Sequence, residues 1–517
     1  MWYNRLNSDF LMKGELDDII RSNSQLALLQ KKMHAFNHAT GMIYLDSVTV
    51  APEYTAEGRG ETLGILSSLS YELFANPETE KLLKFLDEHK SELTPQQARE
   101  VVVLTRNFEQ MHKIPQEEYV AFSVMINEAQ DVWHKAKKEN DFPAFAPYIE
   151  KIAATLRKLA TYFNPKEDPY NVWLDQYERG LTKEKLDEFF AKLKEAIVPL
   201  LHSIQNEAKQ VDNSFLKQEF PIEEQRLLSD YLMEVMSIDR KHCGIGETEH
   251  PFTINFNKND VRITTKYHLN DFTNSMYSVI HEGGHALYEM GTGDELMYTC
   301  LEGGVSMGIH ESQSRLYENI IGRSETFIEL IFPKLKELFP KQLENVTAHQ
   351  LYLAVNKCEA SLIRIDADEL TYCLHIMVRY EIEKLLLAGT VNVNELPQIW
   401  AKLMKEYLGV DVPDDAHGVL QDSHWSGGSM GYFPSYAIGS AYSAQIVHRM
   451  KKDLNIEEII ASGNLKPIVE WLEEHIYKYG SLMDPSDLFT QCCGEPFDPK
   501  YYIDYLTEKF TKIYGLK

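Results

Sequence analysis

Basic residues are in short supply in this chain: 52 lysines and arginines stand against 78 aspartates and glutamates, a formal charge of −26 over 517 residues. Such an excess repels nucleic acid and anionic membrane surfaces, so neither is expected as a partner. Cysteine is sparse as well. The six, Cys243, Cys300, Cys358, Cys373, Cys492 and Cys493, lack the spacing of a zinc ribbon or a disulfide framework, which fits a reducing cytoplasm. No run of roughly 18 apolar residues suggests a transmembrane helix. The start, Met1-Trp2-Tyr3-Asn4-Arg5, leads into Glu15, Asp17 and Asp18 without the apolar core of a secretory signal. A cytoplasmic location is the expectation. Gly/Ser-rich or Pro-rich connectors, low-complexity tracts and internal repeats are missing too, so one continuous domain over 1–517 is expected.

What the chain does have is helical punctuation. Asn76-Pro77, Thr94-Pro95 and Ile114-Pro115 each open a periodic segment, as does Thr182 before Leu186, and Asp484-Pro485 and Asp498-Pro499 do so near the C-terminus. The mixed charges from Glu128 to Lys138 read as a solvated helix face. The rhythm breaks once. Phe252-Thr253-Ile254-Asn255-Phe256 alternates, Asn257 to Asp260 is turn-like, and Val261 to Thr265 resumes strand character, so a hairpin is predicted there. It either packs structurally or offers an edge strand to an extended peptide. The expected architecture is mainly α with a small β element: a helical half over about 1–245, a region with hairpin and motif helices over about 246–440, and C-terminal helices over about 441–517.

After the hairpin comes the densest chemistry, His281-Glu282-Gly283-Gly284-His285. Asn270 and Asp271 offer N-caps, Phe272, Met276, Val279, Ile280 and Leu287 recur at helical spacing, and Gly291 can close the segment. On that helix two imidazoles four residues apart share a face and can reach one metal ion, with Glu282 placed to take a proton from water. Gly283 and Gly284 each cost a helix interior up to about 1 kcal/mol relative to alanine. That cost suggests a close approach, by substrate or by a packed neighbour.

A catalytic zinc site needs a third protein ligand. A glycine and a histidine three and six residues past His285 would supply it on the same helix, but Tyr288 and Gly291 stand there. The ligand must come from elsewhere: Glu289, Asp294, Glu295, Glu302, His310 and Glu311 are candidates, and spacing alone does not choose between His310 and Glu311.

Five separated stretches, in order, resemble the signature of the thermostable, or Taq-type, metallocarboxypeptidase family. They are Asp260-x-Arg262-x-Thr264, His281-Glu282-x-x-His285, His310-Glu311-Ser312-Gln313, Ile363-Arg364-x-x-Ala367-Asp368 and Gly418-x-x-Gln421-Asp422-x-His424-Trp425. His250-Pro251-Phe252 fits the family as well. Where the family usually has Trp-Asp and Met-Pro pairs near the N-terminus, this chain has Leu45-Asp46 and Ala51-Pro52.

The resemblance implies a single helical body of the gluzincin, neurolysin-like type with a deep groove, and release of single residues from the C-termini of peptides. It further implies His281, His285 and Glu311 as ligands of one Zn²⁺, replaceable by cobalt, and Glu282 as general base. Arg364 would hold the free C-terminal carboxylate, which suits a guanidinium fork. An internal ion pair with Asp366 or Asp368 is the competing reading. Tyr436, then Tyr432, and His424 are expected to stabilise the oxyanion. Arg262 is assigned to cleft support or substrate contact, and His310 to substrate contact or to orienting a ligand. Peptides with a free C-terminus are the expected partners, and a homodimer the expected assembly. An endo-acting oligopeptidase and a non-catalytic, metal-stabilised scaffold are the alternatives.

Overall fold

The computed structural model describes residues 2–516, with side chains from residue 18 onward except Glu53. The segment Met1 to Asp17, read above for a secretory signal, lies outside the described side chains.

Nine helices come first: α1 (Trp2–Thr49), α2 (Ala56–Phe74), α3 (Pro77–Glu88), α4 (Pro95–Lys113), α5 (Gln116–Glu139), α6 (Phe142–Phe163), α7 (Pro169–Tyr177), α8 (Lys183–Glu207) and α9 (Ile222–Val235). At Asn76, Thr94 and Thr182 side chains satisfy orphan N–H groups of the first turn, whereas the starts at Pro115, Asp484 and Pro499 have no side-chain cap. Asn76 accepts from Glu78 and Thr79, and Thr94 forms a reciprocal box with Gln97. The face predicted as solvated is crossed by a buried stripe of Ala129, Trp133 and Ala136.

Next come β1 (Cys243–Glu247), β2 (Thr253–Asn257) and β3 (Asp260–Thr265), in the order β1-β3-β2. The hairpin is β2 with β3, antiparallel. β1 adds a parallel strand that the sequence reading did not include, in register Cys243 with Val261.

The sheet lies against α10 (Phe272–Met290), the helix of the His-Glu motif. Asp271 caps it, accepting from Thr273 and Asn274. Phe272, Met276, Val279, Ile280 and Leu287 are all buried, each worth about 1.5–3 kcal/mol of apolar burial. Then follow α11 (Met307–Arg315) and a wide π turn over Leu316–Ile321. After α12 (Glu325–Leu338) and α13 (Ala348–Val355), α14 (Glu369–Ala388) is capped by Asp368 and α15 (Leu396–Leu408) ends at Gly409. A long loop then leads into α16 (Phe433–Met450), followed by α17 (Ile456–Ala461), α18 (Lys466–His475), α19 (Pro485–Cys493) and α20 (Lys500–Tyr514).

One large apolar core joins α5 through α20, with a smaller one between α1, α3 and α4 around Leu26, Leu86 and Leu104. Among the described residues no helix is long and apolar enough to cross a membrane.

Candidate active site

Three elements meet at the two histidines, and their approach explains the glycines. A Cβ on Gly284 would lie 2.8 Å from Gln313 O and Ser314 Cα, so α10 and α11 touch backbone to backbone. Gly283 meets Met236 and Ile238, so packed neighbours and not substrate account for both positions. On the far side a Cβ on Gly439 of α16 would come within 2.5 Å of Glu311 Cβ. Close packing of three helices thus fixes Glu311 against α10.

His281, His285 and Glu311 each turn one ligand atom toward a common point, all within 4.8 Å of one another. Nε2 of His281 and of His285 stand 3.9 and 3.7 Å from Glu311 Oε2. Metal bonds of about 2.0–2.1 Å place tetrahedral donors roughly 3.3 Å apart, so each ring nitrogen stands about half an ångström beyond that spacing from Glu311. The two rings retain 19 and 15% of their side-chain surface, enough for an ion and water to reach them.

The other ring nitrogens fix the tautomers. His281 Nδ1 donates to Glu318 Oε2 at 2.8 Å. His310 Nε2 donates to Glu289 Oε1 at 2.6 Å, which leaves its Nδ1 to accept from His285 Nδ1, also at 2.6 Å. Both ligand rings are thereby left with a bare lone pair on Nε2, the form a metal needs. Burial disfavours charge on both imidazoles. At His285 it lowers the pKa far below the usual value, whereas at His281 Glu318 and Glu311 outweigh it and raise the pKa. His310, assigned above to substrate or to orientation, has both nitrogens engaged by protein.

Sequence reasoning did not find Glu318 or Arg315, and Glu289, offered there as a metal ligand, instead accepts from His310 and Asn255. Arg315 Nε donates to Glu311 Oε1 at 2.7 Å, and Arg315 and Arg323 both donate to Glu318, holding its carboxyl well below the usual range despite burial. Glu311, Arg315 and Glu318 stand at i, i+4 and i+7, a spacing that could have flagged them.

Glu282 is buried beside His281, and burial raises its pKa. Tyr372 leads away from the metal site: its ring lies under the Arg315 guanidinium, 4.4 Å from Cζ, while its hydroxyl accepts from Arg364 Nη1 at 3.1 Å. Arg364 itself is almost fully buried. Its ion pair is with Asp422, not with Asp366 or Asp368, because Asp368 is occupied in capping α14. Nε and Nη2 both donate to Asp422 Oδ1, at 3.1 and 2.9 Å. A guanidinium has five N–H groups. Among the described residues, then, one on each terminal nitrogen of Arg364 is without a protein acceptor.

Asp422 Oδ2 accepts from the fully buried Arg379, and Gln421 Oε1 accepts from Arg379 Nη2 and from the Arg364 main chain. Trp133 and Lys137 of α5 donate to the carbonyls of Leu420 and Gln421. Two carboxylates thus organise this wall, and the second is Glu383, which accepts from Trp425 Nε1, Tyr170 and the Gly431 N–H. Gly431 has φ +95, where a side chain would be strained.

His424 Nε2 lies 3.3 Å from the Tyr436 hydroxyl, and Tyr432 packs edge-on against Tyr436 at 5.2 Å between ring centres. Burial, aided by Arg364 and Arg379, lowers His424 to about 4, and burial with the neighbouring phenols and Glu311 raises Tyr436. Both are neutral near pH 7. Arg262 sits on β3 with its fork on Asp260, at 2.8 and 2.9 Å.

A mainly helical body, a His-Glu-x-x-His helix and a glutamate from a neighbouring helix define a class of metallopeptidase. The model of the family described as carboxypeptidase Taq (M32) metallopeptidase matches residues 25–510. Carboxypeptidase 1 of Bacillus subtilis is 38% identical over 489 residues, covering 94% of this chain and 98% of that protein. Thermostable carboxypeptidase 1 of Pyrococcus furiosus is 35% identical over 94% of this chain and 98% of that protein. Among solved structures, M32 carboxypeptidase from Deinococcus radiodurans superposes with a TM-score of 0.93 at 34% identity, covering 96% of this chain and all of that one. The chain belongs to the M32 metallopeptidase family.

Proposed function

We propose that this protein is a zinc metallocarboxypeptidase that removes single residues from the C-termini of peptides. The observation that supports it most is the short path from metal site to arginine: Glu311 to Arg315, Arg315 over Tyr372, Tyr372 to Arg364. It puts a buried cation with two open N–H groups one aromatic ring from the ligand set.

His281, His285 and Glu311 would hold the metal, which when bound supplies Lewis acidity to water and carbonyl. Glu282 accepts the proton of the attacking water and returns it to the leaving amine. Tyr436 and His424, as neutral donors, face the negative charge that develops on the carbonyl oxygen, with Tyr432 supporting Tyr436; one such donor lowers a barrier by about 3–4 kcal/mol. Arg364 takes the substrate carboxylate with the N–H left open on each terminal nitrogen, Asp422 and Tyr372 holding the guanidinium in place. Arg262 supports the sheet through Asp260, and His310 orients His285. Cobalt as a substitute metal, a homodimer and a cytoplasmic location belong to the same proposal. The Asp422 pair would equally serve an endo-acting oligopeptidase, whose cleavage does not need Arg364.

Mass spectrometry of a peptide mixture incubated with the protein, with and without chelator, tests the reading. A ladder of products shortened one residue at a time from the C-terminus, abolished by chelator, is expected; internal fragments would refute it.

A further inference from the structure

Strand β2 turns two alternate side chains onto α10, and each reaches a carboxylate there. Asn255 Nδ2 donates to Glu289 Oε2 at 2.5 Å, and Thr253 Oγ1 donates to Glu282 Oε2 at 2.6 Å. The two carboxylates are seven residues apart, two helical turns, and so lie on one face. The Thr253 contact has the length of a charge-assisted O–H···O⁻ bond. Among the described residues it is the only hydrogen bond made to the Glu282 carboxylate.

That matters because a glutamate side chain has three torsions. Glu282 is buried on a helix, and among the described residues no lysine or arginine salt bridge and no second donor reaches its oxygens to select a rotamer. Thr253 is suited to select one. It is β-branched, so its χ1 is stiff, and its backbone is fixed in register opposite Ile263, a fully buried residue of the central strand. The hydroxyl also lies 3.1 Å from the Glu282 carbonyl, so it addresses both ends of the same residue. With Oε2 held, Oε1 is the oxygen left to face water.

We propose that Thr253 is a positioning residue for the reaction: its hydroxyl anchors one carboxylate oxygen of Glu282 and thereby aims the other at the attacking water. The inference rests on the reading of Glu282 as general base. It assigns the hairpin a part in the chemistry beyond packing and explains why β2 needs a hydroxyl at that point.

The test compares Thr253→Ser, Thr253→Ala and Thr253→Val in the metal-loaded protein, with kcat and KM on a free-acid peptide, metal content, and Glu282→Gln as reference. Mispositioning of a reacting group by about 1 Å lowers rates about 10²-fold. Ala and Val should lose roughly 10- to 100-fold in kcat with KM and metal content unchanged, while Ser stays within about 3-fold. Ser and Ala differ by the hydroxyl alone, so that comparison stands even if Val folds poorly. Equal kcat for Ser and Ala, or a loss carried by KM or metal content, overturns the role of Thr253. Full turnover by Glu282→Gln would instead remove the base assignment itself, so the two failures are distinguishable.

Discussion

Arg364 directs Nε and Nη2 at a single oxygen of Asp422, 3.1 and 2.9 Å away, inside a wall where both side chains are almost fully buried. With Nη1 also donating to the Tyr372 hydroxyl, one N–H on each terminal nitrogen has no protein acceptor among the described residues. Lysine has no second face of this kind. Arg364→Lys is therefore expected to lower kcat/KM on free-acid peptides by about 10²-fold or more, the value of one or two charge-assisted bonds of about 1.5–3 kcal/mol each. Steady-state kinetics on matched free-acid and amidated peptides checks this, with little change on the amide.

Asp422 neutralises two buried arginines at once. Asp422→Asn leaves Arg364 and Arg379 without their shared counter-charge, and breaking a buried pair costs about 3–5 kcal/mol. A loss of that size in urea denaturation is expected, together with a raised KM for free-acid peptides.

Glu318 acts on His281 from behind. Glu318→Gln should weaken metal binding about 10- to 100-fold, as measured by chelator competition, while kcat at saturating metal changes little.

Glycine positions on different helices should respond in opposite directions. Gly284→Ala forces a methyl to within 2.8 Å of the α11 backbone and should destabilise by about 1–3 kcal/mol or more. Gly64 lies in α2, exposed and with nothing within 4 Å, so Gly64→Ala should stabilise by up to about 1 kcal/mol. Thermal or urea unfolding separates the two.

The motif helix, its caps and the hairpin were legible in the sequence because each is a local pattern: a capping aspartate at 271, apolar residues at helical spacing, alternation from 252 to 256. The grouping of His281, His285 and Glu311 was reached through the family resemblance, since spacing could not choose among six candidates. What escaped was long-range. Arg379 reads as one more residue of an apolar helix until the loop carrying Asp422 folds onto it. Strand β1, Cys243-Gly-Ile-Gly-Glu, carries two glycines that mask its pattern. The π turn at Leu316–Ile321 sets Glu318 behind His281, and periodicity alone does not announce it.

Stability should also depend on pH through Glu383, which sits fully buried with three neutral donors and has a pKa raised by that burial to about 7 from 4.5. A carboxyl with a higher pKa in the folded state binds its proton more tightly there. Its contribution favours the fold below about 4.5 and is lost as pH rises through about 7, a swing of at most roughly 3 kcal/mol. Glu383→Gln should flatten that part of the profile of unfolding free energy between pH 4.5 and 7.

The central claim is that the site recognises a free C-terminal carboxylate next to the scissile bond. The measurement that bears on it most directly is kcat/KM for one peptide as the free acid and as the C-terminal amide. A preference for the acid of about 10²-fold or more, with a single residue released, is expected. Equal rates on the two, or cleavage at an internal bond, would contradict it.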